Sequence, residues 1–123
     1  MAATLRIMAE MVSGIVVKPA AMRAAALRGY ATATDLADYL TRRGLPFRDA
    51  HEVVAHAVKL GLQRGLDLAE LPLADLQALH PLIGDDAQHA LTLEGSLNAR
   101  QVRGGTAPAQ VLAQIDRHRL RLG

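Results

Sequence analysis

The chain contains no cysteine and no tryptophan, and aromatic residues make up only 2% of its 123 residues. Without cysteine there is neither a disulfide framework nor thiol chemistry, which is compatible with a reducing compartment, and we expect a cytoplasmic location. The aromatic residues are Tyr30, Tyr39 and Phe47. The core must therefore be built from Ala, Leu, Val and Met. These are mostly strong helix formers, so the composition predicts an all-α fold.

Long apolar runs are also absent. No run approaches the roughly 18 residues that would suggest a membrane span. Residues 1–11 are apolar, but they lack the basic start and the cleavage site of a signal peptide. We therefore expect no membrane partner.

Charge is unevenly distributed along the chain. Residues 45–98 carry three Lys/Arg against eight Asp/Glu, whereas the segments on either side are net basic. An acidic middle between two basic ends suits internal or intersubunit pairing better than a broad surface for binding a polyanion.

Residues 3–13 read as a helix that is apolar almost all round. Its polar residues, Arg6, Glu10 and Ser13, form one narrow stripe at i, i+4 and i+7. Such a helix is expected to be buried on several sides. A chain this small offers too little to bury it against, which predicts that the helix is part of a larger bundle.

The start of the next clear helical pattern lies near Thr32. Thr32 and Thr34 are both N-cap candidates, and Asp35 follows Thr32 at the spacing of a capping box.

A helix, a tight turn and a second helix follow. Leu36, Tyr39 and Leu40 recur at i, i+3 and i+4, which is one apolar face. Gly44 can end the first helix in a left-handed conformation, and Pro46 can begin the second. The pattern predicts an αα-hairpin of residues 34–43 and 46–64. The apolar face of its second helix is predicted to include Phe47, Ala50, Val54, Ala57, Val58 and Gly61.

Weaker signals predict the remaining elements. Residues 14–17 should form a short extended link, and the last helix should be N-capped by Thr106, with Val111, Leu112 and Ile115 on its apolar side. The other predicted helices are Pro19 to about Arg28, a short helix from Leu71-Pro72 to Leu79, and one or two turns in each of 85–91 and 96–102.

His51 and His56 invite comparison with a zinc-protease helix, but their spacing is wrong. That chemistry needs two His at i and i+4, and five residues correspond to about 140° around a helix. The pattern favours one solvated histidine, His56, and one packed and hydrogen-bonded histidine, His51. We predict no metal site and no metal ligands.

Residues 103–108 (RGGTAP) could form an anion-binding turn before a helix. The segment has neither a P-loop lysine nor a dinucleotide fingerprint, so a plain helix start is the preferred interpretation. The hairpin of residues 34–64 could similarly be a DNA-binding helix-turn-helix, with Arg42, Arg43 and Arg48 near its turn. Asp49 and Glu52 lie where phosphates would approach, so an ordinary hairpin is favoured and no nucleic-acid partner is expected.

The remaining polar residues form no recognisable catalytic arrangement. Asp85, Asp86 and Glu94 are isolated carboxylates, for which a solvated acidic surface is the default expectation. Ser96 and Arg100 stand four residues apart and read as structural.

Four segments nevertheless resemble one enzyme family in order and spacing. ATATDLADYL, RGLPFRDAHEVV, LQALHPLI and RGGTAPAQV are similar to the C-terminal region of argininosuccinate lyase, a member of the fumarase- and aspartase-like lyases, and the resemblance covers about Leu5 to Ile115. Residues 101–103 (QVR) depart from it, because Asn-Ser-Tyr is more usual there. The resemblance reaches Ser96 and Arg100 through the family's S-x-x-x-R stretch.

The resemblance implies a cofactor-free, homotetrameric, all-α lyase that cleaves argininosuccinate to arginine and fumarate by β-elimination, in arginine biosynthesis. The family's Gly-Ser-Ser…Met-Pro-x-Lys-x-Asn loop, its Thr-His segment and its Tyr, Gln and Lys substrate-binding run do not occur in these residues. No residue can therefore be assigned a catalytic or cofactor-binding role, and we expect the chain alone to be inactive.

The domain division follows from the same resemblance. Residues 1–16 would be the end of a long central-bundle helix, and residues 17–123 a small C-terminal domain of αα-hairpins that flanks the active site. The partners would be the rest of the subunit or other lyase subunits. A stand-alone helical interaction module, which docks on a lyase or self-associates through residues 3–13, is the alternative.

Overall fold

The computed structural model describes residues 2–123 of the chain. Within them no strand occurs, which confirms the all-α prediction. The elements in chain order are α1 (Ala2–Ser13), α2 (Pro19–Ala26), α3 (Ala33–Arg42), α4 (Phe47–Arg64), a 3₁₀ turn (Leu68–Glu70), α5 (Leu73–Leu79), α6 (Ala87–Leu91), α7 (Leu93–Ala99) and α8 (Pro108–Leu122).

The predicted hairpin is formed by α3 and α4. Gly44 adopts φ +95° at the end of α3. Its N–H donates to the Thr41 carbonyl at 3.0 Å, and Leu45 N–H donates to the Leu40 carbonyl at 3.1 Å, which together are the two bonds of a Schellman motif. Pro46, predicted as the first helical residue, is instead the N-cap with extended backbone, so α4 begins one residue later.

The core lies between this hairpin and the elements that follow it. Leu36 and Leu40 of α3 are completely buried, as are Ala50 and Ala57 of α4. Small side chains on α4 let the two helices approach closely. Further buried side chains come from later elements, namely Leu68, Leu71, Leu76, Ile83, Ala87 and Leu91.

The predicted apolar face of α4 is wrong at Phe47. Its side chain is 60% exposed, whereas Val53, which was not assigned to that face, is buried. Phe47 stands at the first position of α4, beside the turn, and stacks on His51 with ring centroids 6.3 Å apart.

The predicted capping box at the start of α3 is also wrong. Thr32 occupies the N-cap position, but its side chain makes no capping hydrogen bond. Its ψ of 5° is far from the extended backbone that a capping side chain normally requires. Thr34 lies inside the helix, and Asp35 pairs with Arg100 instead.

Two later helices begin elsewhere than predicted. The turn expected at 96–102 is helix Leu93–Ala99, because Thr92 Oγ1 accepts a hydrogen bond from Gly95 N–H at 3.0 Å and caps it. The N-cap of α8 is Ala107 and not Thr106. Pro108 in the first turn forces an extended backbone on the residue before it, and Ala107 has ψ 138°.

Three helices lie outside this core. No residue of α2 or α8 is buried, and the side chains of residues 3–13 in α1 are exposed on every side. The exposure of α1 agrees with the expectation that a chain this small offers too little to bury it, and the larger bundle stays a prediction. None of the helices in the described part of the chain is long and apolar enough to cross a membrane.

Truncation of a core leucine should measure how much the hairpin contributes to stability. We expect Leu40→Ala to lower the free energy of unfolding by about 2–5 kcal/mol, because it leaves a cavity between α3 and α4. Leu62→Ala is the matched control, since Leu62 is 65% exposed and should change stability by less than about 0.5 kcal/mol. Urea unfolding followed by circular dichroism would compare them, and equal losses would contradict this account of the core.

Candidate functional site

The histidines do not converge on a site. His51, His56, His89 and His118 are exposed on three different helices. The predicted solvation of His56 is confirmed, whereas the predicted packing of His51 is wrong because its ring lies outside on Phe47. His80 is half-buried, and its Nδ1 accepts a hydrogen bond from Leu82 N–H at 3.2 Å in the turn after α5.

No constellation for metal chemistry appears either. Among residues 2–123, no group of three His, Asp or Glu side chains is placed to hold a metal ion. Several polar side chains instead form hydrogen bonds and ion pairs between helices.

The first such contact is a network around Tyr39. The Tyr39 hydroxyl donates to Asp86 Oδ1 at 2.6 Å and accepts from Gly84 N–H at 3.0 Å. Arg43 Nη2 donates to both oxygens of Asp86, at 2.7 and 2.9 Å. The Arg43 guanidinium also lies 4.6 Å from the centre of the Tyr39 ring, a cation–π distance. This Tyr39 network (Tyr39, Arg43, Gly84 and Asp86) holds α3 against the segment that leads into α6.

The network shifts the titration of both acidic members. Burial raises the pKa of Tyr39 above its usual 10.0, and the hydrogen bond to Asp86 raises it further. The hydrogen bond from Tyr39 holds the pKa of Asp86 below its usual 3.8, and Arg43 lowers it further. The contact with Tyr39 neutral and Asp86 ionised is therefore stable over the whole neutral range. The stabilisation from Asp86 is lost as the pH falls through its lowered pKa, and that from Tyr39 is lost as the pH rises through its raised pKa.

The three acidic residues expected to form a solvated surface are exposed, but each of them also has a polar partner. Asp86 pairs with Arg43, Glu94 of α7 pairs with Arg23 of α2, and Asp85 Oδ1 accepts from Gln77 Nε2 at 3.0 Å. The sequence pattern did not reveal these partners, because Arg43 lies 43 residues from Asp86 and Arg23 lies 71 residues from Glu94. The only available signal was the alternation of basic and acidic segments.

Ser96 and Arg100 belong to a second contact, which joins α7 to α3. Arg100 Nη1 donates to the Ser96 carbonyl at 2.6 Å and also to the Ser96 hydroxyl. Arg100 Nη2 lies 3.3 Å from Asp35 Oδ1, and both Ser96 and Asp35 are buried. The predicted structural role of Ser96 and Arg100 is confirmed by this geometry.

The turn of residues 103–108 leads into a groove rather than a closed anion site. The space between residues 104–106 and the face of α8 that includes Val111, Ile115 and Leu122 has a volume of about 720 Å³ and is mainly apolar. Gly104 takes φ +82° and lets the chain turn into α8. The geometry agrees with the preferred interpretation of this segment as a helix start.

A further candidate for a functional surface is the outside of α1. Its apolar side chains are 51–66% exposed, a continuous patch of the kind that marks a contact with another protein. This α1 surface consists of Leu5, Ile7, Met8, Met11 and Val12.

Fold and polar contacts together place the chain in a class. It is an all-α domain of helical hairpins. Its polar side chains mainly form contacts between helices, and an apolar helix is exposed at the N-terminal end of the described residues.

Comparison with known proteins gives the family. A family model described as argininosuccinate lyase C-terminal matches residues 30–98, which run from the turn before α3 into α7. The chain therefore belongs to the argininosuccinate lyase C-terminal family, which confirms the resemblance found in its sequence.

Full-length relatives agree with this assignment. The chain is 72% identical over 120 residues to argininosuccinate lyase of Methylibium petroleiphilum, covering 98% of this chain and 26% of that protein. It is 70% identical to the argininosuccinate lyases of Polaromonas naphthalenivorans, over 120 residues, and Variovorax paradoxus, over 119, with 98% and 97% of this chain covered. The chain thus spans about a quarter (26%) of the length of each of these relatives.

Removal of one hydroxyl should test the Tyr39 network. We expect Tyr39→Phe to lower the free energy of unfolding by about 1–3 kcal/mol, because it leaves the Gly84 N–H without its acceptor. Tyr30→Phe is the control, since the Tyr30 hydroxyl makes a single 3.2 Å bond to the Leu66 carbonyl. Chemical denaturation of both variants would measure the difference, and a Tyr39→Phe protein as stable as the parent would contradict the network.

The pKa of Tyr39 can be measured directly. In the Tyr30→Phe variant Tyr39 is the remaining tyrosine, and its phenolate can be titrated by ultraviolet absorbance. We expect a midpoint above 10.0, because burial and Asp86 both disfavour the phenolate. A midpoint at or below 10.0 would show that the hydroxyl is not held as described.

Proposed function

We propose that this chain acts as the C-terminal domain of an argininosuccinate lyase, in arginine biosynthesis, and that it needs the rest of a lyase subunit for activity. The intact enzyme would cleave argininosuccinate to arginine and fumarate by β-elimination, without a cofactor. The observation that carries the proposal is the match over 98% of the chain, at 72% identity, to about a quarter of a protein named argininosuccinate lyase.

The polar side chains of the described residues support the prediction that the chain is inactive alone. A β-elimination needs a base and an acid within reach of one substrate. In residues 2–123 the histidines are scattered, and the buried or half-buried Tyr39, Asp35 and Arg100 are engaged in contacts between helices. The catalytic groups would therefore come from outside these residues.

The proposed division into residues 1–16 and 17–123 is supported by the difference in packing. The α1 surface is exposed, whereas the core is formed by α3 to α6. In the proposed arrangement, α1 completes a central helical bundle formed with the rest of the subunit or with other subunits of a homotetramer in the cytoplasm. Burial of one large apolar side chain there would contribute about 1.5–3 kcal/mol.

A stand-alone interaction module is the second candidate function. The exposed α1 surface favours it, because a patch of this kind could dock on a complete lyase or on a second copy of the chain. Rescue of a truncated lyase separates the two possibilities, since a module without a catalytic context would bind without restoring activity.

Complementation is the decisive experiment. Fumarate formation from argininosuccinate would be followed by absorbance, first with this chain alone and then with a lyase lacking its C-terminal domain. We expect no activity from the chain alone and restored activity in the mixture. Turnover by the chain alone at a rate near that of an intact lyase would overturn the proposal, as would a mixture that binds but stays inactive.

A pair of matched variants would locate the docking surface. Leu5 on α1 and Leu62 on α4 are 66% and 65% exposed, so a change to glutamate should be tolerated equally by the fold. We expect Leu5→Glu to abolish complementation and Leu62→Glu to retain it. Equal loss in both variants would show that the α1 surface has no special part in docking.

A further inference from the structure

We propose that the groove between residues 104–106 and α8 is a second docking surface, separate from the α1 surface, and that it takes an amphipathic helix with carboxylates on both sides of its apolar stripe. The helix would come from the part of a lyase that lies outside this chain, so its source rests on the proposed function. The chain spans about a quarter (26%) of the length of its relatives, which leaves most of a subunit to supply such a helix.

The apolar face of α8 is left uncovered by the described part of the chain. None of the 15 residues of α8 is buried, and its half-buried residues are Gln110 and Gln114. Val111, Ile115 and Leu122 line the groove and are 43%, 40% and 81% exposed. A lone helix of this length is only marginally stable in water, because most helices in proteins depend on the packing of an apolar face. A partner on this side of α8 would therefore stabilise the helix.

The groove has a second wall and room for side chains. Residues 104–106 stand opposite the apolar face of α8, and the space between them is about 720 Å³ and mainly apolar. Gly104 and Gly105 have no side chains that could fill it. A concave apolar surface of this kind suits the side chains along one face of a helix, which is how amphipathic helices bind in grooves.

Basic side chains lie on both sides of the apolar face. At about 100° per residue, His118 stands about 60° to one side of Ile115 and Arg119 about 40° to the other, and both line the groove. Arg119 lies 3.8 Å from Asp116, but both side chains are largely exposed, so this pair is weak and can be exchanged. A helix with carboxylates beside its apolar stripe would therefore bind better than one with basic residues there.

A second copy of the chain is a poorer occupant. Two α8 faces in contact would bring His118 and Arg119 of one copy against the same residues of the other, and like charges disfavour that contact. Helix α1 of another copy offers a single carboxylate, Glu10, which lies 3.8 Å from Arg6 of the same helix. The charge pattern therefore favours an acidic helix from outside the chain.

Two synthetic helices would test the charge of the occupant. Both peptides, of about 18 residues, carry leucines at i, i+3, i+4 and i+7, and they differ only beside this stripe, with glutamates in one and lysines in the other. Fluorescence anisotropy would measure their binding to the full 123-residue chain. We expect the glutamate peptide to bind about tenfold more tightly at low salt, with a smaller difference at about 1 M NaCl, where the Debye length is about 3 Å.

Matched variants on opposite sides of α8 would locate the binding site. Arg119→Gln should reduce the preference for the glutamate peptide, whereas Arg117→Gln should retain it, because Arg117 lies about 160° around the helix from Ile115. Ile115→Asp should abolish binding of the glutamate peptide. Leu120→Asp should retain it, since Leu120 is 88% exposed and lies about 140° from Ile115. Circular dichroism would check that each variant keeps its fold, as expected for a helix outside the core.

Three results with these proteins would overturn the proposal. Equal binding of the two peptides, or binding of neither, would show that the groove does not select an acidic helix. Equal loss in Arg119→Gln and Arg117→Gln would show that net charge, and not the groove, attracts the peptide. A dimer of the parent chain that Ile115→Asp dissociates in analytical ultracentrifugation would show that a second copy occupies the groove.

The source of the helix is tested with a lyase lacking its C-terminal domain. We expect Leu120→Asp to restore its activity as the parent chain does, and Ile115→Asp to restore much less. Equal restoration by Ile115→Asp would overturn the lyase as the source and leave the proposed function intact. A parent chain that restores no activity would overturn the proposed function and this source together, while peptide binding would still decide whether the groove takes an acidic helix.

Discussion

The close contact between α3 and α4 is the constraint on which the rest of the domain depends. Leu36 and Leu40 can be removed completely from water because α4 presents alanines at positions 50 and 57, which leave room for larger side chains from α3. The left-handed turn at Gly44 brings the two helices together within a few residues. The 3₁₀ turn, α5 and α6 then close over this hairpin with leucine side chains. A core with so few aromatic residues is stable only if these aliphatic side chains are buried nearly completely.

Polar contacts between distant segments help to fix the relative positions of the helices. The basic segments at the two ends pair with acidic residues elsewhere in the chain, as in Arg43 with Asp86 and Arg100 with Asp35. The exposed pair of Arg43 with Asp86 adds little stability, but both pairs favour one relative position of the helices. Tyr39 contributes to stability and to the relative position of the helices, because its ring belongs to the buried core and its hydroxyl belongs to the polar network.

The extent of the core explains the unequal character of the elements. Its buried apolar residues lie between Leu36 and Leu91, apart from Ala107, and the family model matches residues 30–98. The helices outside that range, α1, α2 and α8, keep large apolar side chains in contact with water. These exposed apolar surfaces are candidates for contact with a partner, whereas nearly all of the buried apolar residues lie in the segment between α2 and α8. The proposed role within a lyase follows from this contrast.

Local chemistry determined the helical class, the hairpin and its turn, since helix propensity, apolar spacing and a glycine at the turn act within a few residues. The family could also be recognised from four short segments. Tertiary structure decided which of the candidate contacts formed. Thr32 does not cap α3 and Phe47 lies outside the core, although the local pattern favoured both roles. Asp86 is bound by Arg43 and Tyr39, which belong to a distant part of the chain. A pattern read along the sequence cannot see a partner 43 residues away, whose position is set only when the helices pack.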